Sequence, residues 1–266
     1  MSRRRGPRRG ERAGNRRERR RRAHPPPRGI RAGCRGCAGG PGSWCPSLAP
    51  GICRVRLLAL MNLGVLILAA GASSRMGRPK LLLPWAGTTI LGALLDRWTR
   101  LGARQIAVVR AAGGDALAAE LGRLQFPAAQ VILNPEPERG MFSSIQCAAR
   151  WDGWDGALTH FCISLGDQPH VREATLRGLL EFAAAHPARF CQPSRGGRGR
   201  HPVALPAADF ARIAHTTATN LREFRNAPPG RVAMWESDDA GLDLDLDTPA
   251  DYARALAEFG AGGDSA

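Results

Sequence analysis

The sequence predicts an α/β chain with a mainly parallel sheet and helices on both faces, a three-layer sandwich. Three observations carry that expectation. Short apolar runs alternate with helical stretches from Leu63 onward. The links between them are short, as parallel β-α units require. The unusual loops follow strands, after Ala70, Leu133 and Leu165, where ligands bind in such sheets.

The elements follow in order. "LGVLILAA" is apolar throughout and reads as a strand buried on both faces. "TILGALLDRWTRLG" has helical apolar spacing with Gly102 as its stop. "QIAVVRA" is a second strand, "GDALAAELGRL" a helix and "AQVILN" a third strand. "MFSSIQCAARW" is a helix entered through Gly140, "THFCISLGD" a fourth strand and "REATLRGLLEFAAAH" a helix. "RFCQPSRGGRGRHPVALP" reads as a strand pair joined by a glycine-arginine turn. Two short helices, "ADFARIAHT" and "NLREFRNAP", precede the strands "VAMWES" and "LDLDL", and "TPADYARALAEFG" closes as a helix.

Charge divides the 266-residue chain unevenly. Residues 1–60 hold 17 arginines and two glutamates, whereas 61–266 hold 21 basic and 21 acidic residues. The first 60 residues, rich in Arg, Gly and Pro, carry too little apolar surface to offset the entropy of ordering and are expected to be disordered. Residues 61–260 are expected to form the domain, and 261–266 a disordered tail. An arginine-rich arm could bind phosphate backbones. The simpler reading is a translation start upstream of the true one, since a protein beginning "MNLGVLILAAG" at Met61 needs nothing added. Seven cysteines show no disulfide framework, which fits a reducing cytoplasm. The apolar run before Ala70 is too short for a membrane span.

Lys80 is the only lysine beside 37 arginines. It ends the stretch "LAAGASSRMGRPK", whose small residues let backbone N–H groups approach an anion. The loop is neither a Walker loop nor a dinucleotide G-x-G-x-x-G. Arg75 offers a planar fork, while Lys80 offers a compact charge on a flexible stem, suited to a leaving pyrophosphate. Asp167, in "ISLGDQP", follows a buried strand and is placed to hold Mg²⁺. The alternative is a turn aspartate before Pro169. "GLDLDLDTPADY" offers Asp243, Asp245 and Asp247 on one face of an expected strand. Asp247 could instead cap the last helix, with Thr248 and Pro249 at its first positions. "NPEPERGMFSS" presents Gly140, Ser143 and Ser144 at a helix start, suitable for phosphate or for simple capping. Arg195, Arg198, Arg200 and His201 gather in a glycine-rich turn that suits an anionic acceptor or is merely solvated.

"LAAGASSRMGRPK", "NPEPERGMFSSI", "LGDQPHV", "GRHPV" and "LDLDTPADY" together resemble the molybdenum cofactor cytidylyltransferase branch of the molybdopterin guanylyltransferase-like nucleotidyltransferases. The resemblance covers nearly all of 63–260 and none of 1–60. It implies a Rossmann-like nucleotidyltransferase fold and transfer of CMP from CTP to the phosphate of molybdopterin, with release of pyrophosphate. The alternative within it is GTP as donor or another phosphorylated acceptor. It further implies catalytic roles for Arg75, Lys80 and Asp167, and Mg²⁺ held by Asp167 and Asp247, with Asp245 in reserve. Nucleotide contacts are implied for Leu68, Ala69, Ala70, Gly71, Ser73, Arg75, Lys80, Asn134, Gly140, Ser143 and Ser144, and acceptor contacts for Arg200 and His201. Transient contact with a molybdenum hydroxylase or its maturation chaperone is also implied; neither membrane nor nucleic acid is expected as a partner.

Overall fold

The computed structural model describes residues 61–260 except 228. The expected disorder of 1–60 and of 261–266 therefore lies outside the described residues. Strands β1 (Leu63–Leu68), β4 (Gln105–Ala111), β5 (Val131–Asn134), β6 (His160–Leu165), β7 (Phe190–Arg195), β9 (Val203–Pro206) and β10 (Val232–Glu236) form the main sheet, in the order β10-β7-β9-β6-β1-β4-β5. The two-residue β8 (Arg198–Gly199) pairs with β7, and β2 (Pro84–Trp85) and β3 (Thr88–Thr89) form a separate ribbon. β1 runs parallel to β4 and β6, β4 to β5, and β10 to β7, while β9 runs against both β6 and β7. The carboxyl ends of β1, β4, β5, β6, β7 and β10 consequently share one rim.

The helices are α1 (Ile90–Arg100), α2 (Asp115–Arg123), α3 (Met141–Arg150), α4 (Glu173–Ala185), α5 (Ala207–Ile213), α6 (Leu221–Asn226) and α7 (Pro249–Phe259). Alternation along the strands divides the core into two layers. Val65 and Ile67 of β1 face the cluster built on Leu91, Leu94 and Trp98 of α1 and Leu176 and Leu179 of α4. Leu66, between them, faces Phe142 and Ile145 of α3 and Phe210 and Ile213 of α5. Trp98 is fully buried, and its indole N–H donates to Ser164 Oγ at 3.1 Å, which ties α1 to the centre of the sheet. None of the helices among the described residues is long and apolar enough to cross a membrane.

The glycine-arginine turn, through Gly196 and Gly197 at φ 57° and 72°, leads from β7 through β8 into β9, which pairs antiparallel with β7 as the expected strand pair and lies between β7 and β6. One element departs from expectation. The run "LDLDL" is not a strand. It is a short 3-10 turn, Ala240–Asp243, followed by extended chain outside the sheet. Its leucines, Leu242, Leu244 and Leu246, are buried in the core, so the period of two reports one buried side rather than a ladder. His170 Nε2 lies 3.0 Å from Gly241 O and 2.8 Å from Leu244 O, occupying carbonyls that a neighbouring strand would need. Asp239, wholly buried, accepts from the backbone N–H groups of Arg172 and Gly241 and from Thr175 Oγ1, which clamps the start of the run. The thiols of Cys162 and Cys191 are buried and free, and burial raises both above the ordinary range, Cys191 to about 12.

Candidate active site

A cavity of about 1240 Å³ opens at the carboxyl rim over β1, β4 and β6. Register explains the convergence. Leu68 of β1 lies opposite Val109 of β4 and Leu165 of β6, so the loops that follow leave the sheet side by side. Gly166 permits the contact between two of them: a Cβ there would stand 2.5 Å from Leu68 O, and its N–H donates to that oxygen at 3.0 Å. Gly71 is different. A Cβ at Gly71 would meet no protein atom within 4 Å, so its missing side chain leaves room in the cavity rather than for packing.

The loop from Ala70 to Lys80 is fixed from within. Ser73 sits in the left-handed region at φ 50°, and its hydroxyl accepts the backbone N–H of Lys80 at 3.2 Å. Met76 and Leu81 are buried and anchor the loop to the core. These constraints aim Lys80 inward. Its ammonium donates to Asp167 Oδ2 at 2.5 Å and approaches Asp247 Oδ1 at 3.4 Å, with only 14% of the side chain exposed. Arg75 reaches the other oxygen of Asp247 at 2.8 Å. A compact ammonium on a flexible stem needs less room between two carboxylates than a planar guanidinium does.

Asp247 is free for this role because it does not cap the last helix. Thr248 is the cap, its Oγ1 accepting the N–H of Asp251 while the Asp251 carboxylate accepts the N–H of Thr248, and Pro249 opens the helix. The alternative reading of Asp247 as that cap is thereby set aside. The three aspartates of the run go to separate partners: Asp243 to Arg195 and Arg200, Asp245 to Gln168 Nε2 at 3.0 Å, Asp247 to Lys80 and Arg75.

Leu68, Ala69, Ala70, Gly71, Ser73, Arg75, Lys80, Gly140, Ser144, Asp167 and Asp247 all line the cavity. Asn134 and Ser143 do not. Asn134 is buried, its amide donating to Ser143 Oγ at 2.8 Å and Ser144 Oγ at 2.9 Å while its carbonyl accepts the N–H of Glu136. These groups fasten the β5–α3 loop beneath the cavity wall. Ser143 does not cap α3 either; Gly140, at φ 88°, occupies that position without a side-chain bond. Arg200 lines a second groove, and His201 lines neither cavity. His201 Nδ1 is buried without a partner, and burial pushes the imidazole pKa down.

Sequence reasoning overlooked one wall. Arg110 at the end of β4 and Gly113, Gly114 and Asp115 beyond it also line the cavity, and Arg110 Nη1 donates to Ala111 O at 3.0 Å. The pair of glycines directly after a strand was the available signal.

Three basic side chains (Arg75, Lys80, Arg110) and five acidic ones (Asp115, Glu138, Asp167, Asp245, Asp247) line the cavity. A polyphosphate entering this acid excess needs a cation with it. Two carboxylates within reach of one ammonium fit Mg²⁺, which takes one or two protein carboxylates together with substrate phosphates.

The family model described as "MobA-like NTP transferase domain" matches residues 65–232. Among curated proteins, the chain is 27% identical to nicotine blue oxidoreductase of Paenarthrobacter nicotinovorans, over 71% of this chain and 94% of that one. It is 26% identical to the molybdenum cofactor cytidylyltransferase of Escherichia coli K12, over 73% and 95%. Among solved structures, Rv0371c of Mycobacterium tuberculosis H37Rv superposes with a TM-score of 0.59 at 27% identity, covering 74% of this chain and 99% of that one. The matched span takes in Lys80 and Asp167 and ends before Asp247; the chain belongs to the MobA-like NTP transferase family and has the nucleotidyltransferase fold.

Proposed function

We propose that this protein transfers CMP from CTP to the phosphate of molybdopterin and releases pyrophosphate. The observation that carries the reading is Lys80, held by the Gly71 loop and spanning Asp167 and Asp247 on the floor of the cavity. A redox function, as one relative's name would suggest, does not call for that arrangement, whereas phosphoryl chemistry does.

The roles follow from position. The backbone from Leu68 to Gly71 lies along the cavity wall and would hold the base, with the space beside Gly71 admitting the ribose and phosphates. Mg²⁺, when bound by Asp167 and Asp247, would supply neutralisation of the phosphate oxygens. Lys80 would exchange part of its contact with the carboxylates for the β- and γ-phosphates, and Arg75, 69% exposed at the rim, would close over them. The attacking acceptor phosphate is already anionic, so no side chain need remove a proton. The oxygen–phosphorus bond to the acceptor forms as the bond to pyrophosphate breaks, and the leaving charge falls on Lys80 and Arg75. Catalysis is positioning plus charge stabilisation.

The transferase domain is assigned to residues 61–260, and the product would pass to a molybdenum hydroxylase or its chaperone. The test is pyrophosphate release by the full chain with Mg²⁺ and molybdopterin, comparing CTP, GTP and ATP. Release with CTP alone supports the reading. Release with GTP would keep the site and change the donor, and release with none of the three would overturn the assignment.

A further inference from the structure

Asp167 and Asp247 reach Lys80 on two segments that share no strand pairing among the described residues. Asp167 follows β6 on the link to α4, and Asp247 ends the extended run outside the sheet. No backbone ladder fixes the distance between them; side chains do so instead. Gln168 Nε2 donates to Asp245 Oδ1 at 3.0 Å. His170 Nε2 meets Gly241 O at 3.0 Å and Leu244 O at 2.8 Å. The N–H of Arg172 donates to Asp239 at 2.9 Å. Residues 168, 170 and 172 rise by twos while their partners fall from 245 to 239. The two segments lie antiparallel, joined like a ladder through alternate residues, and Asp167 and Asp247 stand at its open end.

His170 is the most deeply buried of these rungs. It is 3% exposed, its ring against those of Trp85 and Phe259, with centroids 6.3 Å and 5.7 Å away. Two carbonyls before Nε2 require the hydrogen on that nitrogen, which leaves Nδ1 bare and buried without a partner. A buried polar atom left unpaired is costly, so an apolar side chain would suit this place better unless the Nε2 bonds were needed. Gly241 lets the run come this close: a Cβ there would stand 3.2 Å from the imidazole and 3.0 Å from His170 O.

We propose that His170 is a positioning residue for the two carboxylates at Lys80: it sets the separation of Asp167 and Asp247, and with it the affinity for a divalent cation that carries phosphate. The proposal rests on the reading of these two aspartates as cation ligands. Charge explains why such a tie is needed. While the ammonium stands between the carboxylates, it draws them together. Once that contact passes to phosphate, two like charges face one another, and the ties behind them oppose their separation. Asp167 is three residues from His170 and Asp247 three from Leu244, so the imidazole acts over a short stretch of chain on either side. It does not line the cavity and acts through the chain alone.

The experiment titrates the Mn²⁺ complex of pyrophosphate, a leaving group common to every nucleoside triphosphate donor, into the full chain. Water-proton relaxation reports the bound metal, with no turnover. His170→Asn places its amide where Nδ1 stands and cannot reach the carbonyls, whereas His170→Gln places one near Nε2 and can. His170→Asn should weaken binding about tenfold or more, as loss of a group that orients a metal ligand generally does, and His170→Gln should keep most of the affinity. His170→Phe, which keeps a ring against Trp85 and Phe259 but carries no donor, should match His170→Asn. Ile213→Ala, a truncation in the other core layer, should lower the melting temperature and leave the affinity unchanged. The proposal is overturned if His170→Asn and His170→Phe bind as tightly as wild type, or if His170→Gln is as weak as they are. It is overturned equally if Ile213→Ala loses affinity alongside them, since a purely structural role would treat all these variants alike. A wild-type chain that does not bind the complex overturns the reading of the two aspartates, and the proposal with it.

Discussion

The two cavities on the rim are built by opposite arrangements of the same charges. In the first, one lysine stands between two carboxylates, Asp167 and Asp247. In the second, one carboxylate, Asp243, stands between two arginines. The first keeps an excess of acid along its wall and the second an excess of base. A cavity left with an excess of one sign is completed by a ligand of the other. On the proposed reading the first takes a metal cation, which then admits a polyphosphate, while the second keeps a net positive lining. The "LDLDLD" run serves both: its leucines are buried, and its aspartates are dealt outward to different sites.

The largest effect that would break this comparison is at Lys80. Lys80→Ala should lower pyrophosphate release about a hundredfold to a thousandfold, as removal of a charge-stabilising donor generally does. Lys80→Arg should recover little of it, because the larger planar group does not fit the place that the mostly buried ammonium holds against Asp167. Steady-state kinetics checks both, and full activity in Lys80→Arg would show that only charge matters.

A second contrast separates two glycines of the first cavity. Gly71→Ala should leave the melting temperature unchanged while raising the KM for CTP roughly tenfold, because its Cβ enters ligand space only. Gly166→Ala should lower the melting temperature, since its Cβ meets Leu68 O. Thermal melts and CTP saturation curves on the two variants measure the difference.

The smallest effect concerns pH. Burial disfavours the cationic forms of His160, His170 and His201 and lowers their pKa in the folded protein. Stability from these groups is complete above the unfolded pKa, about 6.5, and is lost as pH falls below it, because the unfolded chain binds protons first. The slope reaches at most roughly 1.4 kcal/mol per pH unit for each histidine. Melting temperatures at pH 7.5, 6.5 and 5.5 should decline, and His170→Gln, which keeps a donor for the Gly241 and Leu244 carbonyls, should flatten the decline.

Much of the fold was legible because each buried strand announces itself locally. "LGVLIL" and "QIAVVRA" are apolar on both faces, and the structure places strands at Leu63–Leu68 and Gln105–Ala111. The loop from Leu68 to Lys80 and the position of Asp167 were legible for the same reason, since each follows such a strand. What the sequence concealed depends on distant partners. Alternation in "LDLDL" requires one buried side but does not say whether that side belongs to a sheet; His170, some 70 residues earlier, takes the carbonyls. Asn134 and Ser143 have the chemistry of a phosphate site, yet they bond to one another, and only packing reveals that. The second groove joins β7, β8, β10 and the start of α4, an assembly that no local pattern describes.

The central claim, that the first cavity is completed by a metal cation, is tested most directly by calorimetric titration of CTP into the full chain with and without Mg²⁺. Binding should be strong with Mg²⁺ and at least tenfold weaker without it, and Asp167→Asn should remove most of that difference. Equal affinity with and without the metal would show that the carboxylates at Lys80 do not hold a cation for the nucleotide.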